Sequence, residues 1–161
     1  MIRLSSRLRL FLDQALPGKP LWDLCCDHGL LGMKALEEGR VSEVHFVDRV
    51  PSIMERLKER LKEENLVGAL YTQGAESLEI PLRGTVVIAG VGGDRILGIL
   101  EGLDRSGCLT AERLILSPHK DEAAFPIRFA ELFGRTWVLA TTLSIRESGR
   151  ERPVWIAEKR K

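Results

Sequence analysis

Residues 23–29, with the sequence DLCCDHG, group two carboxylates, two thiols and an imidazole, the side-chain types that could do chemistry. The segment begins inside an apolar run and ends in a glycine-containing turn before a helix-like segment. Roughly twenty residues further on, a second apolar run ends in Asp48. Such a turn approaches a nucleotide with bare backbone, and an acid at the next strand's tip accepts ribose hydroxyls. The pattern predicts a site for a nucleoside-containing cofactor.

Asp23, the first acid of this segment, bears on which cofactor is expected. A dinucleotide is disfavoured because the segment lacks the sequence G-x-G-x-x-G. S-adenosylmethionine is favoured, since its amino group gives Asp23 a positive charge to neutralise. We then expect Gly29 to bring the backbone close to the cofactor, and Asp27 and His28 to face its reactive end. The alternative for Asp27 is an N-cap of the next helix.

The adjacent thiols could suggest a zinc site, which the sequence disfavours. Cys25 and Cys26 would point in opposite directions along a strand, so they could not easily share one metal ion. No second pair of ligands has suitable spacing. The chain has three cysteines, an odd number that does not make a disulfide framework. We therefore expect no metal and a reducing, cytoplasmic compartment.

Further candidate residues follow the other apolar runs. The Gln73 amide could bond the edge of an adenine, Gly90 begins a turn that exposes backbone to an anion or substrate, and His119 could exchange hydrogen bonds with a substrate base. The alternatives are a surface role for Asp48, tight packing for the glycines and a bystander histidine. The predicted cofactor-binding residues are Asp23, Cys25, His28, Gly29, Asp48, Arg49, Gln73, Gly74, Gly90 and Gly92, and the predicted catalytic residues are Asp27, Gly90 and His119.

Apolar periodicity divides the chain into alternating strands and helices. Strands are predicted over residues 20–26, 43–48, 69–72, 85–89, 113–116, 137–145 and 153–158, and helices over residues 2–16, 30–38, 52–64, 95–103 and 121–133. The run at 85–89, TVVIA, is typical of a strand buried on both faces. The last two strands flank the sequence ESGR and indicate an antiparallel hairpin.

This order of elements predicts an α/β fold with a mostly parallel seven-stranded sheet, helices on both faces and a C-terminal antiparallel hairpin. The turns described above all fall at the carboxyl ends of strands, where such sheets bind their ligands. With 161 residues, we expect one domain over residues 1–161, in which a helix within residues 1–16 precedes the core.

Composition and charge exclude few functions. Apolar residues make up 44% and charged residues 29% of the chain, as in ordinary globular proteins, and the formal net charge is +1. Basic residues crowd both ends and could contact phosphate, although solvated ends are the commoner explanation. No apolar run approaches the roughly 18 residues of a membrane span, so we expect no membrane partner, and no signal peptide is recognised.

With these residues identified, the sequence resembles the bacterial tRNA (adenine-N1)-methyltransferase family that modifies the D-loop side of tRNA. Residues 4–8, LSSRL, resemble the family's L-S-x-R-L, and residues 23–32, DLCCDHGLLG, are similar to D-I-G-S-D-H-G-Y-L-P. Residues 88–93, IAGVGG, are similar to I-A-G-M-G-G, and residues 114–119, LILSPH, stand where the family has L-I-L-Q-P-N. The resemblance implies the class I, Rossmann-like methyltransferase fold and S-adenosylmethionine as cofactor.

The chain departs from the family at several of these positions. Cys25 and Cys26 replace a glycine and a serine, Gln73 stands for the acid that meets the adenine amine, and His119 replaces an asparagine. The sequence ends at Lys161, before the family's helical C-terminal extension, which contributes to tRNA binding. We interpret the chain as a diverged relative that keeps the catalytic core.

The resemblance implies an S-adenosylmethionine-dependent methyltransferase that acts on a nitrogen of an RNA base, adenine N1 of tRNA. Such an enzyme must align N1 with the methyl group and accept hydrogen bonds from the neighbouring amine. Asp27 and the turn at Gly90 are the candidates for this work, with His119 as a further one. The alternatives are a methyltransferase for a small molecule or a protein, and a cofactor-binding relative without catalysis. A nicotinamide oxidoreductase is the least favoured.

Overall fold

The computed structural model describes residues 1–120 and 122–161. The strands within this part of the chain are β1 (Leu21–Leu24), β2 (Val44–Asp48), β3 (Ala69–Thr72), β4 (Thr85–Ala89), β5 (Arg113–Ser117), β6 (Trp137–Glu147) and β7 (Arg150–Lys159). The α-helices are α1 (Ser6–Gln14), α2 (Leu30–Glu37), α3 (Pro51–Glu63), α4 (Gly93–Arg105) and α5 (Phe125–Phe133), and a 3-10 turn spans Ala75–Ser77.

The strands form one mixed sheet in the order β3-β2-β1-β4-β5-β7-β6. The first five strands of this order pair in parallel, whereas β7 pairs antiparallel with both β5 and β6. The predicted α/β fold is confirmed, including its C-terminal hairpin. Because β1 lies between β2 and β4, the chain changes direction across the sheet at β1 and β4. In open α/β sheets the crevice outside such a switch point is where ligands bind.

Helices cover both faces of the sheet, as the sequence predicts. Side chains of α4 and α5 pack on one face with Val86 and Ile88, while α1, α2 and α3 pack on the other with Val87. Alternate residues of β4 therefore serve opposite cores, which explains its continuous apolar sequence. In α3 the buried residues include Met54, and Ile53 is only partly buried.

The N-terminal helix is shorter than its periodicity predicts. It begins at Ser6 because the Ser5 hydroxyl caps it, accepting a hydrogen bond from the Leu8 N–H at 3.2 Å. Ile2 is buried although it lies outside the helix, and its N–H donates to Glu37 of α2 at 3.1 Å. The apolar periodicity of residues 2–5 therefore reflects burial of a segment that is not helical.

Other boundaries shift by a few residues from the prediction. β1 ends at Leu24 because the next residue has a φ of 59°, and α4 begins at Gly93. The hairpin turn is Ser148-Gly149, where both residues have positive φ and allow a two-residue connection. α5 begins at Phe125, and the start predicted at position 121 lies outside the described residues. Among the described helices, none has the length and apolar character needed to cross a bilayer.

Candidate active site

Two cavities lie at the carboxyl ends of the central strands and share Cys25 as a wall. The first, of about 370 Å³, follows β2 and β3 and is lined by Cys25, Val47, Asp48, Arg49, Gln73, Gly74, Ala75, Val91 and Arg95. The second, of about 170 Å³, lies at the switch point and is lined by Arg7, Leu8, Phe11, Asp23, Leu24, Cys25, Cys26, Asp27, Leu31, Val87, Ala89 and Gly90. We refer to them as the first and second cavity.

The loop between β1 and α2 has an unusual backbone. Cys25 and Asp27 have φ values of 59° and 50°, and Gly29 has 71°. Side chains in this region of φ cost about 1–2 kcal/mol each, and such strain persists where the surrounding structure enforces it. Two hydrogen bonds help to do so: the Cys26 N–H donates to the Val47 carbonyl at 3.0 Å, and the Gly29 N–H to the Cys26 carbonyl at 2.8 Å.

Asp48 holds this loop from the tip of β2. Its Oδ2 accepts a hydrogen bond from the Asp27 N–H and its Oδ1 one from the Val50 N–H, each at 3.1 Å. A carboxylate oxygen has two acceptor lone pairs, so Asp48 keeps acceptors for hydroxyl groups in the first cavity. The N-cap of α2 is Gly29, which makes no side-chain capping bond, so the alternative role of Asp27 as N-cap is wrong.

Asp23 is buried at the floor of the second cavity, and its Oδ2 has no hydrogen-bond partner among the described residues. The pKa of this carboxyl is raised to about 8, mainly by burial and to a smaller extent by the charges of Asp48 and Asp27, while a hydrogen bond from the Gly32 backbone acts in the opposite direction. The group is therefore held protonated near neutral pH until a cation approaches.

Arg7 brings a positive charge to the same cavity from α1. Its Nη2 donates to the Ser117 carbonyl at 3.2 Å, and its guanidinium lies 5.4 Å from the centre of the Phe11 ring. Burial lowers the pKa of Arg7, and its buried Nε has no described hydrogen-bond partner. Arg7 Nε is thus a donor without an acceptor, and Asp23 Oδ2 is an acceptor without a donor. Together these two groups complement a molecule that carries both a carboxylate and an ammonium group.

Arg95 lies in the first turn of α4 and lines the first cavity. It pairs with Glu76 at 3.1 Å, and this hydrogen bond lowers the pKa of the Glu76 carboxyl. Neither Arg7 nor Arg95 was predicted as a site residue from the sequence. The signal for Arg7 was its place in the LSSRL motif, and for Arg95 its closeness to the glycine turn after β4.

The turns after β4 and β5 are joined by hydrogen bonds. Gly90, with a φ of 77°, lines the second cavity, and its carbonyl lies 2.9 Å from Nδ1 of His119. The His119 N–H donates to the Val91 carbonyl at 3.0 Å, and Gly92 is the N-cap of α4. The two turns thus form one unit beside the second cavity.

The cavity linings bring together many, but not all, of the predicted site residues. Those that line a cavity are Asp23, Cys25, Asp27, Asp48, Arg49, Gln73, Gly74 and Gly90, and those that do not are His28, Gly29, Gly92 and His119. The His28 side chain is 69% exposed and 3.8 Å from Asp27. A side chain at Gly29 would lie 2.5 Å from Leu57, so this glycine serves the packing of α2 on α3.

The two adjacent thiols sit in surroundings that keep them neutral. Burial raises the pKa of the Cys25 thiol to about 11 and also raises that of Cys26. Cys26 Sγ packs against Met54 Sδ at 3.8 Å. Within residues 1–120 and 122–161, no group of three or more His, Cys, Asp or Glu side chains could hold a metal ion.

The architecture is shared with methyltransferases of known structure. The B. subtilis M1A22 tRNA methyltransferase TrmK matches with a TM-score of 0.81 and 24% identity, covering 98% of this chain and 67% of that one. M. capricolum TrmK in complex with S-adenosyl-homocysteine matches with a TM-score of 0.81 and 15% identity, covering 98% of this chain and 70% of that one. Magnesium protoporphyrin IX methyltransferase from Synechocystis with bound SAM matches with a TM-score of 0.75 and 19% identity, covering 96% of this chain and 78% of that one.

Sequence comparison identifies the family. None of the curated proteins matches this chain. Residues 4–150, however, match the family model described as a methyltransferase domain, a span that runs from the segment before α1 to the start of β7 and includes both cavities. The chain therefore belongs to the methyltransferase domain family.

Proposed function

We propose that this methyltransferase domain binds S-adenosylmethionine across the two cavities and methylates a nitrogen of an RNA base, adenine N1 of tRNA. The observation that carries the proposal is the pair of incomplete polar groups, Arg7 Nε and Asp23 Oδ2, in a cavity that adjoins the one holding Asp48. S-adenosylmethionine carries the chemistry that matches this arrangement, with ribose hydroxyls at one end and an amino acid at the other.

The residues divide the binding of the cofactor between them. Asp48 accepts hydrogen bonds from the ribose hydroxyls. Gln73 and Gly74, which line the same cavity, form hydrogen bonds with the edge of the adenine. Asp23 receives the ammonium group, which favours the ionised carboxylate, while Arg7 receives the carboxylate. When bound, the cofactor supplies a methyl group activated by a positively charged sulfur.

The acceptor base enters beside Asp27 and Gly90, which both line the second cavity. Adenine N1 has an in-plane lone pair, so the protein must orient the base and accept hydrogen bonds from its amine as positive charge develops. The Asp27 carboxylate is exposed enough to meet an incoming base, with its side chain 66% accessible. The fold shared with the two TrmK structures supports RNA as the substrate class.

Calorimetric titration with S-adenosylmethionine and S-adenosylhomocysteine tests the cofactor. We expect micromolar binding that Asp48→Ala weakens by tenfold or more, about 1.4 kcal/mol, with Asp104→Ala on α4 as the matched control. Transfer of labelled methyl groups to tRNA, abolished by Asp27→Ala without loss of cofactor affinity, then tests the reaction. Absence of cofactor binding, or unchanged methyl transfer by Asp27→Ala, would refute the respective assignment.

A small-molecule or protein acceptor is the second candidate. It is favoured by the net charge of only +1 and by the fold shared with a porphyrin methyltransferase. The salt dependence of the Michaelis constant separates the two: contacts with several phosphates make RNA binding fall steeply between about 50 and 200 mM salt. A salt-independent constant would support the second candidate. Cofactor binding without turnover on RNA, small molecules or protein extract would instead indicate a non-catalytic relative.

A further inference from the structure

The imidazole of His119 is held against a backbone carbonyl. Its Nδ1 lies 2.9 Å from the Gly90 oxygen, and a carbonyl oxygen can only accept a hydrogen bond. In the neutral ring Nδ1 must therefore carry the hydrogen, which leaves Nε2 with a bare lone pair. The contact thus fixes the tautomer as well as the position of the ring.

The backbone around His119 is fixed independently of the imidazole. Its N–H donates to Val91, and the Gly93 N–H donates to the Lys120 carbonyl at 3.3 Å. The carbonyl of His119 accepts a hydrogen bond from Arg152 Nη1 at 3.3 Å, and Arg152 also pairs with Glu122 at 3.4 Å. A substitution of the imidazole should therefore preserve this turn.

We propose that His119 Nε2 accepts a hydrogen bond from the exocyclic amine of the acceptor base and thereby selects adenine over a base with a carbonyl at that position. This inference rests on the proposed function, because Gly90, which orients the ring, lines the cavity assigned to the acceptor. Adenine presents an N–H donor next to N1, whereas hypoxanthine presents an oxygen, whose lone pair would face that of Nε2. Repulsion of this kind is how sites reject near-isosteric ligands.

The hydrogen bond strengthens as the reaction proceeds. The N1 lone pair forms the new N–C bond, the C–S bond breaks with its electron pair kept by sulfur, and the positive charge moves to the adenine. Because that charge spreads onto the amine, its hydrogen becomes a better donor to Nε2. N1 bears no hydrogen at the start, so the methyl transfer itself needs no proton to be removed from it.

Nitrogen-15 NMR of the histidine side chains tests the tautomer without cofactor or RNA. His45 provides an internal reference of opposite type, because its Nε2 lies 3.1 Å from the Glu43 carboxylate, which only accepts, and its Nδ1 lies 3.0 Å from the Tyr71 hydroxyl. In the neutral rings we expect Nδ1–H for His119 and Nε2–H for His45. The His119 signals are assigned by their loss in His119→Asn. A protonated Nε2 in neutral His119 would overturn the inference.

The selection is tested by methyl transfer to RNA with adenine at the target position, in competition with the same RNA carrying hypoxanthine there. Hypoxanthine bears a hydrogen on N1, so it acts as an inhibitor and not as a methyl acceptor. His119→Leu has no hydrogen-bond acceptor, and the backbone hydrogen bonds that hold this turn do not involve the imidazole. We expect this variant to lose roughly tenfold or more of its rate on adenine and to be inhibited more strongly by the hypoxanthine RNA, with unchanged cofactor affinity. Arg56→Gln, an exposed change on α3, is the control. An unchanged rate on adenine and unchanged inhibition by hypoxanthine RNA in His119→Leu would overturn the inference, whereas failure of the wild type to bind cofactor would refute the proposed function instead.

Discussion

The backbone N–H of Asp27 donates a hydrogen bond to Asp48 Oδ2 at 3.1 Å. This contact joins the loop after β1 to the acid at the tip of β2, so the residue assigned to the ribose also supports the residue assigned to the acceptor. The side chain of Asp48 therefore has two effects that separate measurements can distinguish: it supplies acceptors to the first cavity, and it stabilises a strained loop.

Asp48→Ala is expected to loosen the loop in the absence of any ligand. Without the carboxylate, the Asp27 N–H loses its acceptor, and the strained φ values of Cys25 and Asp27 lose part of their support. Hydrogen exchange of the Asp27 amide should accelerate by roughly tenfold or more, the equivalent of one net hydrogen bond. Asp104→Ala on α4 should leave that rate unchanged. Equal exchange in both variants would show that Asp48 does not hold the loop.

Arg7→Met is expected to weaken binding of the cofactor's amino-acid end alone. Methionine keeps the apolar contact with Phe11 but removes the charge that complements a carboxylate. Calorimetry should show at least a tenfold loss of affinity for S-adenosylhomocysteine and little change for methylthioadenosine, which lacks the amino acid. Asp48→Ala serves as the converse control, because it should weaken both ligands. Equal losses for the two ligands in Arg7→Met would contradict the assignment.

The sequence predicted one half of the site better than the other, for a physical reason. Asp48 ends β2, Gln73 and Gly90 directly follow β3 and β4, and parallel strands bring their carboxyl ends to one edge of the sheet. Arg7 and Arg95 reach the same edge from helices, so their position depends on how α1 and α4 pack. Periodicity predicts which face of a helix is buried but not which residue of that helix meets a cavity.

Cys25→Gly and Cys25→Ala together test the strain in the loop. Both remove the thiol, but only glycine adopts a φ of 59° without a steric cost. Urea unfolding should therefore find the glycine variant more stable than the alanine variant by about 1 kcal/mol. At an ordinary backbone position the order is reversed, because glycine has the larger entropy in the unfolded chain. An alanine variant that is the more stable of the two would refute the left-handed conformation.

The loop between β1 and α2 also shows which element boundaries could not be predicted from the sequence. An apolar pattern cannot reveal that β1 ends just before Cys25, because positive φ is rare outside glycine and asparagine. The hairpin was predicted correctly because its strands alternate and its turn contains glycine. The predicted start of α1 was wrong because Ile2 is buried in a segment before the helix, and apolar periodicity does not distinguish such burial from a helical face.

Asp23→Asn tests the buried carboxyl through the pH dependence of stability. The pKa of Asp23 is raised by burial to about 8 in the folded protein, against an ordinary value near 4 in the unfolded chain. Between those values the folded state holds a proton that the unfolded state has lost. The contribution of Asp23 to the free energy of unfolding is therefore complete at low pH and disappears as pH rises through about 8.

The free energy of unfolding of the wild type should therefore fall relative to that of Asp23→Asn between pH 5 and 8. The slope is at most about 1.4 kcal/mol per pH unit, the value for one proton, and it should flatten above pH 8. Urea unfolding at one-unit pH intervals measures the difference directly, with Asp104→Asn as an exposed control that should follow the wild type. A constant difference between wild type and Asp23→Asn across this range would show that Asp23 is ionised throughout. In that case Asp23 would not exchange a proton for the cofactor's ammonium group.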